Sequence, residues 1–183
     1  MKLELRSVVK LLLLFVLCAT LVNGIKTEML LQITPEEQRS IARITAYISL
    51  ILSSCAAFII VGAILSTPWF ALKSVKSNIS LFSYLSGAQA VIKILISAEI
   101  AKLVLLFLFL KNDVKNIDLT MDFESQVKAL TWYRVNQISE ITLLSSACLA
   151  MALVLKRNNV KLDEVAIATI ILLILFLGQY LIF

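Results

Sequence analysis

Residues 165–183 read VAIATIILLILFLGQYLIF, a run of 19 residues without a single charged side chain. A helix of that length, rising 1.5 Å per residue, is long enough to cross the hydrocarbon core of a bilayer, which is about 30 Å thick. Three other apolar segments precede it. We predict membrane spans at about 44–66, 86–110, 137–155 and 165–183, so the fold class is an all-α polytopic transmembrane helix bundle.

The composition of the chain excludes most soluble folds and most enzyme chemistries. Apolar residues make up 60% of the 183 residues and charged residues only 16%, more apolar surface than a soluble domain of this size could hide. The absence of histidine removes histidine-based metal, haem and nucleophile sites. Cys18, Cys55 and Cys148 all lie in apolar runs, which rules out a framework of loop disulfides. We expect no enzyme activity, no cofactor and no metal.

The N-terminus has the form of a secretory signal. Lys2, Arg6 and Lys10 precede an uncharged run over 11–22, and small residues follow it. We predict a signal peptide over 1–24, cut after Gly24, which leaves a four-span domain over 25–183. The alternative is a retained signal anchor that extends to Leu31 and gives the bundle five helices.

Several short motifs predict where the helices begin and end. Thr34-Pro35-Glu36-Glu37 is a capping-box pattern that starts the first span, and Thr67-Pro68 should interrupt it. Asp122 is a suitable N-cap for the third span. The polar run Lys156-Arg157-Asn158-Asn159 should end that span.

The lysines and arginines between the spans predict the topology. Lys73 and Lys76 in the first connection, and 156–161 in the third, lie on one side, which the positive-inside rule makes cytoplasmic. Residue 25, the connection 111–137 and the C-terminus are then extracytoplasmic, in the plasma membrane or a secretory-pathway membrane. We interpret the sequon at Asn78 as a chance match, because it falls on the cytoplasmic side.

The second span carries charges inside the apolar run, and these are the sharpest functional signal in the chain. An unpaired Glu99 near the bilayer centre would cost roughly 3 kcal/mol or more. Lys102 lies three residues later on nearly the same helix face, and Glu140 of the third span is a second possible partner for it. Lys93 points to the opposite side and could snorkel inward. The pair Glu99 and Lys102 either locks the bundle or forms an ion, proton or substrate site.

Counting residues inward from the outer ends of the spans places Cys55, Glu99 and Cys148 in one layer near the midplane. We expect serines within a turn of that layer to bond Glu99, and the chargeless fourth span to lie outside the polar core. These serines are Ser53, Ser54, Ser145 and Ser146. An offset of 93 residues aligns 48–57 with 141–150, so the two hairpins are either repeats or a chance match of apolar sequence.

These observations leave two functional classes open. The first is a non-catalytic accessory or scaffold subunit of a membrane complex, favoured by the small size of the chain and its lack of catalytic residue types. The second is a small oligomeric transporter or channel that uses the Glu99 and Lys102 site, because four spans alone rarely enclose a pathway. An intramembrane enzyme ranks third. The expected partners are the lipid bilayer and a protein subunit or second copy, and not nucleic acid, because the basic residues are dispersed.

Overall fold

The computed structural model describes residues 2–116, 126 and 128–182, and in these ranges the chain is helical and contains no strand. Five long helices form the fold: α1 (Lys2–Leu31), α2 (Glu36–Ser74), α3 (Leu81–Leu105), α4 (Thr131–Arg157) and α5 (Leu162–Ile182). A π-helical turn, Leu106–Leu110, and two short turns, Lys111–Asp113 and Val114–Asn116, extend α3.

Four of the described helices are long and apolar enough to cross a membrane: α1, α2, α4 and α5. This confirms an all-helical chain with four candidate spans. The set differs from the sequence prediction, however, because α1 is one of the four and α3, which contains most of the predicted second span, is not. Helix α1 runs unbroken past Gly24, and cleavage there stays a prediction.

The helices pack as a ring in which each one contacts chiefly two neighbours, in the order α1, α2, α5, α4, α3 and back to α1. Helices α1 and α2 are antiparallel, since Gly24 lies beside Leu50 and Gly62 beside Leu12. We call the end with the α2–α3 and α4–α5 connections the inner end, and the opposite end the outer end. Two connections are equally short, with four residues each: 32–35 between α1 and α2, and 158–161 between α4 and α5.

The inner half of the ring is filled by apolar side chains. Tyr84 of α3 packs its ring against Trp69 of α2 and donates a hydrogen bond to the Leu65 carbonyl. The α2–α3 connection is tied to the start of α5, where Glu164 accepts hydrogen bonds from Ser77 Oγ at 2.6 Å and from the Asn78 backbone at 3.3 Å. The fully buried members of this core include Leu72, Val91, Ile92, Leu155, Ala168 and Leu172. Close packing of this kind leaves the inner half without room for a ligand.

The prediction that α2 ends at Thr67-Pro68 is wrong, because the helix continues through the buried Pro68 to Ser74. Proline removes one backbone donor, here the N–H that would bond the Ile64 carbonyl one turn earlier. Nearby, Ser66 Oγ and Thr67 Oγ1 donate to the Ala63 carbonyl, at 3.0 and 2.8 Å. The prediction treated Thr67-Pro68 as a helix end, whereas α2 forgoes this one bond and stays continuous.

The other predicted boundaries are close to the observed ones. Helix α2 begins at Glu36, but the capping box does not form, since no side chain caps that end and Arg39 instead donates to the Thr34 carbonyl. Helix α4 ends at Arg157, followed by Asn159 in the left-handed region at φ 57°. Asn159 and Lys76 both occupy the position after a helix end that suits this conformation. Asp122, the predicted cap of the third span, lies outside the described residues.

Side-chain contacts fix the outer end of the ring. The Trp132 backbone donates to Asp113 Oδ2 at 2.9 Å, which joins the start of α4 to the extension of α3. Glu28 of α1 pairs with Arg43 of α2 at 3.1 Å and accepts a hydrogen bond from the Tyr47 hydroxyl at 2.8 Å. A second apolar cluster lies beneath them, formed by Val22, Leu106, Leu110, Val114 and Trp132.

The packing of α3 on α4 depends on Gly87, which gives the first prediction. A side chain at Gly87 would overlap the Met151 thioether and meet Leu155, whereas a side chain at Gly178 of α5 would meet no atom within 4 Å. We expect Gly87→Leu to lower the stability of the protein by about 1–3 kcal/mol relative to Gly178→Leu, because both gain the same helix propensity and only one is overpacked. Thermal unfolding in detergent, followed by size-exclusion chromatography, measures this difference. Equal melting temperatures would show that α3 and α4 do not pack closely here.

Candidate functional site

A cavity of about 820 Å³ occupies the outer half of the ring, and all five helices contribute to its wall. The lining residues whose side chains carry polar atoms are Thr20, Asn23, Lys26, Ser53, Ser54, Glu99, Lys102, Trp132, Tyr133, Asn136, Gln137, Glu140 and Gln179. Its volume is within the range of roughly 300–1,000 Å³ that small-molecule sites occupy. The ring arrangement therefore creates a space of ligand size.

Polarity changes sharply along the depth of this cavity. The innermost lining residue of every helix is apolar, and these five form its floor: Phe15, Val61, Leu95, Leu144 and Phe176. The outermost lining residues of four of the five helices are polar or charged, namely Lys26, Ser53, Lys102 and Gln179, and α4 contributes Trp132. The cavity is therefore polar towards the outer end and closed towards the inner end.

In the cavity wall, one lysine lies between two carboxylates. Lys102 Nζ lies 3.0 Å from Glu99 Oε1 and 3.0 Å from Glu140 Oε1. Glu99 is the most deeply buried of the three, with 7% of its side chain exposed, against 23% for Lys102 and 31% for Glu140. Asn136 Nδ2 donates to Glu140 from one turn away, at 3.1 Å. The predicted Glu99 and Lys102 pair is present, and the second candidate partner, Glu140, completes it.

A second lysine lies in the same cavity without a carboxylate partner. Lys26 of α1 places its Nζ 5.1 Å from the centre of the Trp132 ring, a cation–π geometry. No carboxylate of the described residues is within ion-pairing distance of it. A side cavity of about 60 Å³ separates Lys26 from Lys102 and Glu140. The cavity wall thus holds two cationic and two anionic groups, and both anionic groups pair with Lys102 while neither pairs with Lys26.

The four serines predicted for the polar core divide into two groups. Ser53 and Ser54 line the cavity, and Ser54 Oγ lies 2.7 Å from Thr20 Oγ1 of α1. Ser145 and Ser146 are not in the cavity wall, and their hydroxyls donate to carbonyls of their own helix at 2.9 and 2.8 Å. The predicted contact with Glu99 is absent for all four among the described residues, since Ser53 and Ser54 also donate to a carbonyl of their own helix, that of Leu50, at 3.0 and 2.7 Å. Ser145 and Ser146 lie outside the wall as well, because α4 turns the face with Asn136 and Glu140 inward. The aligned positions Ser53 and Ser146 therefore occupy different environments.

Two other parts of the predicted polar layer also differ from the structure. Cys55 is exposed, and Cys148 is buried about two turns closer to the inner end than Glu140, so neither belongs to the cavity wall. Helix α5 does reach the cavity, through Phe176 and Gln179, although we expected the fourth span to lie outside the polar core. Closing the ring brings α5 between α2 and α4, which sequence spacing could not reveal.

Two polar atoms beside the cavity have no partner among the described residues. These are Nε1 of Trp132, a residue only 6% exposed, and Oδ1 of Asn136, one turn further along α4. The spacing of Trp132, Asn136 and Glu140 at every fourth residue placed them on one helix face, and sequence analysis missed this signal. Asn23 and Lys26 were missed because they follow the apolar run that we interpreted as a signal peptide.

The arrangement suits recognition of a charged molecule better than it suits metal binding. Among the described residues, no group of three or more histidine, cysteine, aspartate or glutamate side chains could hold a metal ion. Lys102 occupies the space between Glu99 and Glu140, where a cation would otherwise lie. No protein-family model, curated protein or solved structure matches this chain. The chemistry of the cavity must therefore be inferred from its own residues.

The shared lysine gives the second prediction. Lys102→Met leaves two carboxylates facing each other without a cation, and we expect it to destabilise the protein by about 3 kcal/mol or more. Glu99→Gln should cost less, because Lys102 keeps Glu140, and the triple variant Glu99→Gln, Lys102→Met, Glu140→Gln should recover most of the loss. Thermal unfolding in detergent tests the series.

Lys93→Met is the matched control for this series, because Lys93 is on the same helix, is exposed and lies outside the cavity wall. Its melting temperature should stay close to that of the unmodified protein. A Lys102→Met variant as stable as this control would contradict a structural role for the ion-pair cluster.

Proposed function

We propose that this chain is a five-span integral membrane protein that binds a small zwitterionic solute from the extracytoplasmic side and carries it across the membrane. The observation that supports this proposal is the partly open cavity lined by all five helices, with charges of both signs in its outer part and an apolar floor. A single copy of the chain supplies the whole lining of this space. A transport function therefore does not require a second copy to complete the cavity.

The proposal treats α3 as a span although it is not among the four candidate spans. Helix α3 packs on α1 and α4, which shield much of its surface, and a helix surrounded by protein does not need an apolar face on every side. Ten of its residues between Ser83 and Glu99 are buried, which fits a central position. Two of its charges, Glu99 and Lys102, then lie where partners exist, as intramembrane charges usually do.

The proposal also retains α1 as the first span. This helix contributes Phe15 to the cavity floor and Thr20 and Asn23 to its wall, all on the N-terminal side of the predicted cleavage position. Removing residues 1–24 would uncover the face of α3 on which α1 packs. The uncleaved alternative is therefore the one that keeps the cavity closed.

The distribution of basic residues supports an orientation with the inner end in the cytoplasm. Lys73, Lys76 and the run 156–161 lie at the inner end, and a retained α1 adds Lys2, Arg6 and Lys10 to the same side. In this orientation the polar end of the cavity faces outward. A solute from outside would meet Lys26, Trp132 and Gln179 first.

The charges in the wall favour a ligand that carries both signs. Glu99 and Glu140 share Lys102, so one negative charge is left over on that side of the cavity. Lys26 carries an unshared positive charge on the facing helix, α1. A solute with an ammonium group near Glu140 and a carboxylate near Lys26 would complement both groups. The apolar floor would then contact the remainder of the solute.

The apolar floor favours a carrier over an open channel. Side chains from all five helices meet at the floor, and the packed inner half lies beneath them. A channel would need a continuous polar route, which this core does not offer to a hydrated solute. Transport would require the inner halves of the helices to separate, as in alternating access.

A non-catalytic subunit of a membrane complex is the second proposal, and one observation favours it. Lys93 lies on the outward surface of α3, exposed and away from the cavity. A charge at that place is expected where another helix covers it. The two proposals use opposite faces of α3 and do not exclude each other.

Retention of α1 gives the third prediction. The mass of the intact protein, purified from its native membrane by a C-terminal tag, should include residues 1–24, because α1 forms part of the cavity wall. A form that begins at Ile25 would instead support the signal peptide. A variant with Val22→Arg and Gly24→Arg, which removes the small residues before the cut, provides the uncleaved reference mass.

Solute binding gives the fourth prediction. In proteoliposomes, a panel of zwitterionic amino acids should include one that is taken up, while matched monovalent anions and cations are not. Lys26→Gln and Glu140→Gln should each lower uptake at least about tenfold, the effect of losing roughly 1.4 kcal/mol of binding energy.

The control for this experiment is Ser145→Ala, a residue that faces away from the cavity and bonds only its own helix. It should transport at the unmodified rate, whereas Ser54→Ala, in the cavity wall, should not. Uptake that survives both charge substitutions would contradict the proposed site. A panel in which every zwitterion fails both to be taken up and to raise the melting temperature would contradict it as well.

A further inference from the structure

Lys93 is an exposed cation on the outward face of α3. It is nine residues, or two and a half helical turns, from Lys102, so the two lysines lie on opposite sides of the helix. Lys102 forms ion pairs with Glu99 and Glu140 in the cavity wall, whereas Lys93 has no ion-pair partner among the described residues. The wall of the cavity does not include it.

The depth of Lys93 excludes a simple interfacial position. Tyr84 of α3 contacts Trp69 of α2, and Lys73 lies 4.6 Å from the centre of the Trp69 ring, so this group marks the inner boundary of the membrane. Lys93 is nine residues further along α3, about 13 Å deeper at 1.5 Å per residue. A lysine snorkels over the length of its four-carbon stem, which does not span two and a half helical turns.

The surface around Lys93 has the shape of a helix-packing face. Ser97 and Ala101 follow at intervals of four residues, and both are exposed on the same side as Lys93. Small residues at this spacing let a second helix approach closely. Large apolar side chains continue the face towards the outer end, with Ile100 56% exposed and Val104 52% exposed. The face therefore combines close approach, apolar contact and one positive charge.

The charge restricts what can cover this face. A lipid phosphate lies at the membrane surface, too far from Lys93 to neutralise it. A second copy of the chain offers no exposed carboxylate at this depth among the described residues, because its exposed acids lie near the ends of the helices and Glu99 and Glu140 are in the cavity wall. The remaining occupant is a transmembrane helix of a different protein.

We propose that the Lys93, Ser97 and Ala101 face of α3 binds a transmembrane helix of another subunit, and that this helix carries an aspartate or glutamate near the bilayer midplane. The carboxylate pairs with Lys93, and small residues at Ser97 and Ala101 bring the two backbones together. This inference develops the second proposed function, that of a complex subunit. It uses the five-span arrangement but does not depend on solute binding.

Photo-crosslinking in native membranes tests the interface. A photoreactive amino acid in place of Ser97 should form one heteromeric product, and the crosslinked peptide should come from a transmembrane segment that contains an acidic residue. Lys93→Leu should reduce the yield at least about tenfold. Lys93→Glu should abolish the product, and a lysine in place of the partner's acidic residue should restore it.

The same photoreactive residue in place of Ile59 of α2 is the matched control, since Ile59 is 69% exposed on another outward face and should yield no such product. Crosslinks to lipid alone, to a second copy of the chain, or to a helix without an acidic residue would each overturn the proposal. Failure of the charge exchange to restore the product would overturn it as well. Solute uptake measured on the same Lys93 variants shows whether an effect comes from the interface or from the cavity. Uptake should be unchanged, because Lys93 lies outside the cavity wall.

Discussion

The interaction on which the rest of the structure depends is the contact of Lys102 with Glu99 and Glu140. It joins α3 to α4 at a place where Glu99 is buried, and a buried charge costs several kcal/mol unless a partner in good geometry recovers much of that cost. The three groups permit one register between the two helices. That register also turns Trp132 and Asn136 towards the cavity and places Gly87 against Met151 in the inner half.

The same constraint divides the molecule into two halves with different physical roles. In the inner half, apolar side chains pack closely and the connections are tied down by Lys73 and Glu164. In the outer half, polar groups keep the helices apart because their charges require partners or water, and a cavity results. The outer half therefore also contributes to stability, because its wall contains the ion pairs that join α3 to α4, whereas the inner half contributes through apolar burial.

Sequence analysis predicted the helical class and the central ion pair, because both depend on local patterns. A run of apolar residues defines a span, and an acid three residues before a lysine defines a pair on one helix face. The rotations of α2 and α4 are not local, and for that reason the predicted serine contacts with Glu99 are absent: Ser53 and Ser54 reach the cavity wall but donate to the Leu50 carbonyl, and Ser145 and Ser146 lie outside the wall. The contributions of α1 and α5 to the cavity depend on closure of the ring, which is a tertiary property.

Helix α3 is not among the four candidate spans, and its packing shows where its charges lie. Its neighbours α1 and α4 cover much of its surface, and Glu99 and Lys102 face the cavity. Lys93 departs from this arrangement, since it is the same residue type as Lys102 on the same helix but faces outward. In the proposed arrangement Lys93 finds its partner on another helix, whereas Lys102 keeps its partners within the chain. The two lysines lie on opposite sides of α3, so a change at Lys93 would remove the outer contact and leave the contacts of Lys102 in place.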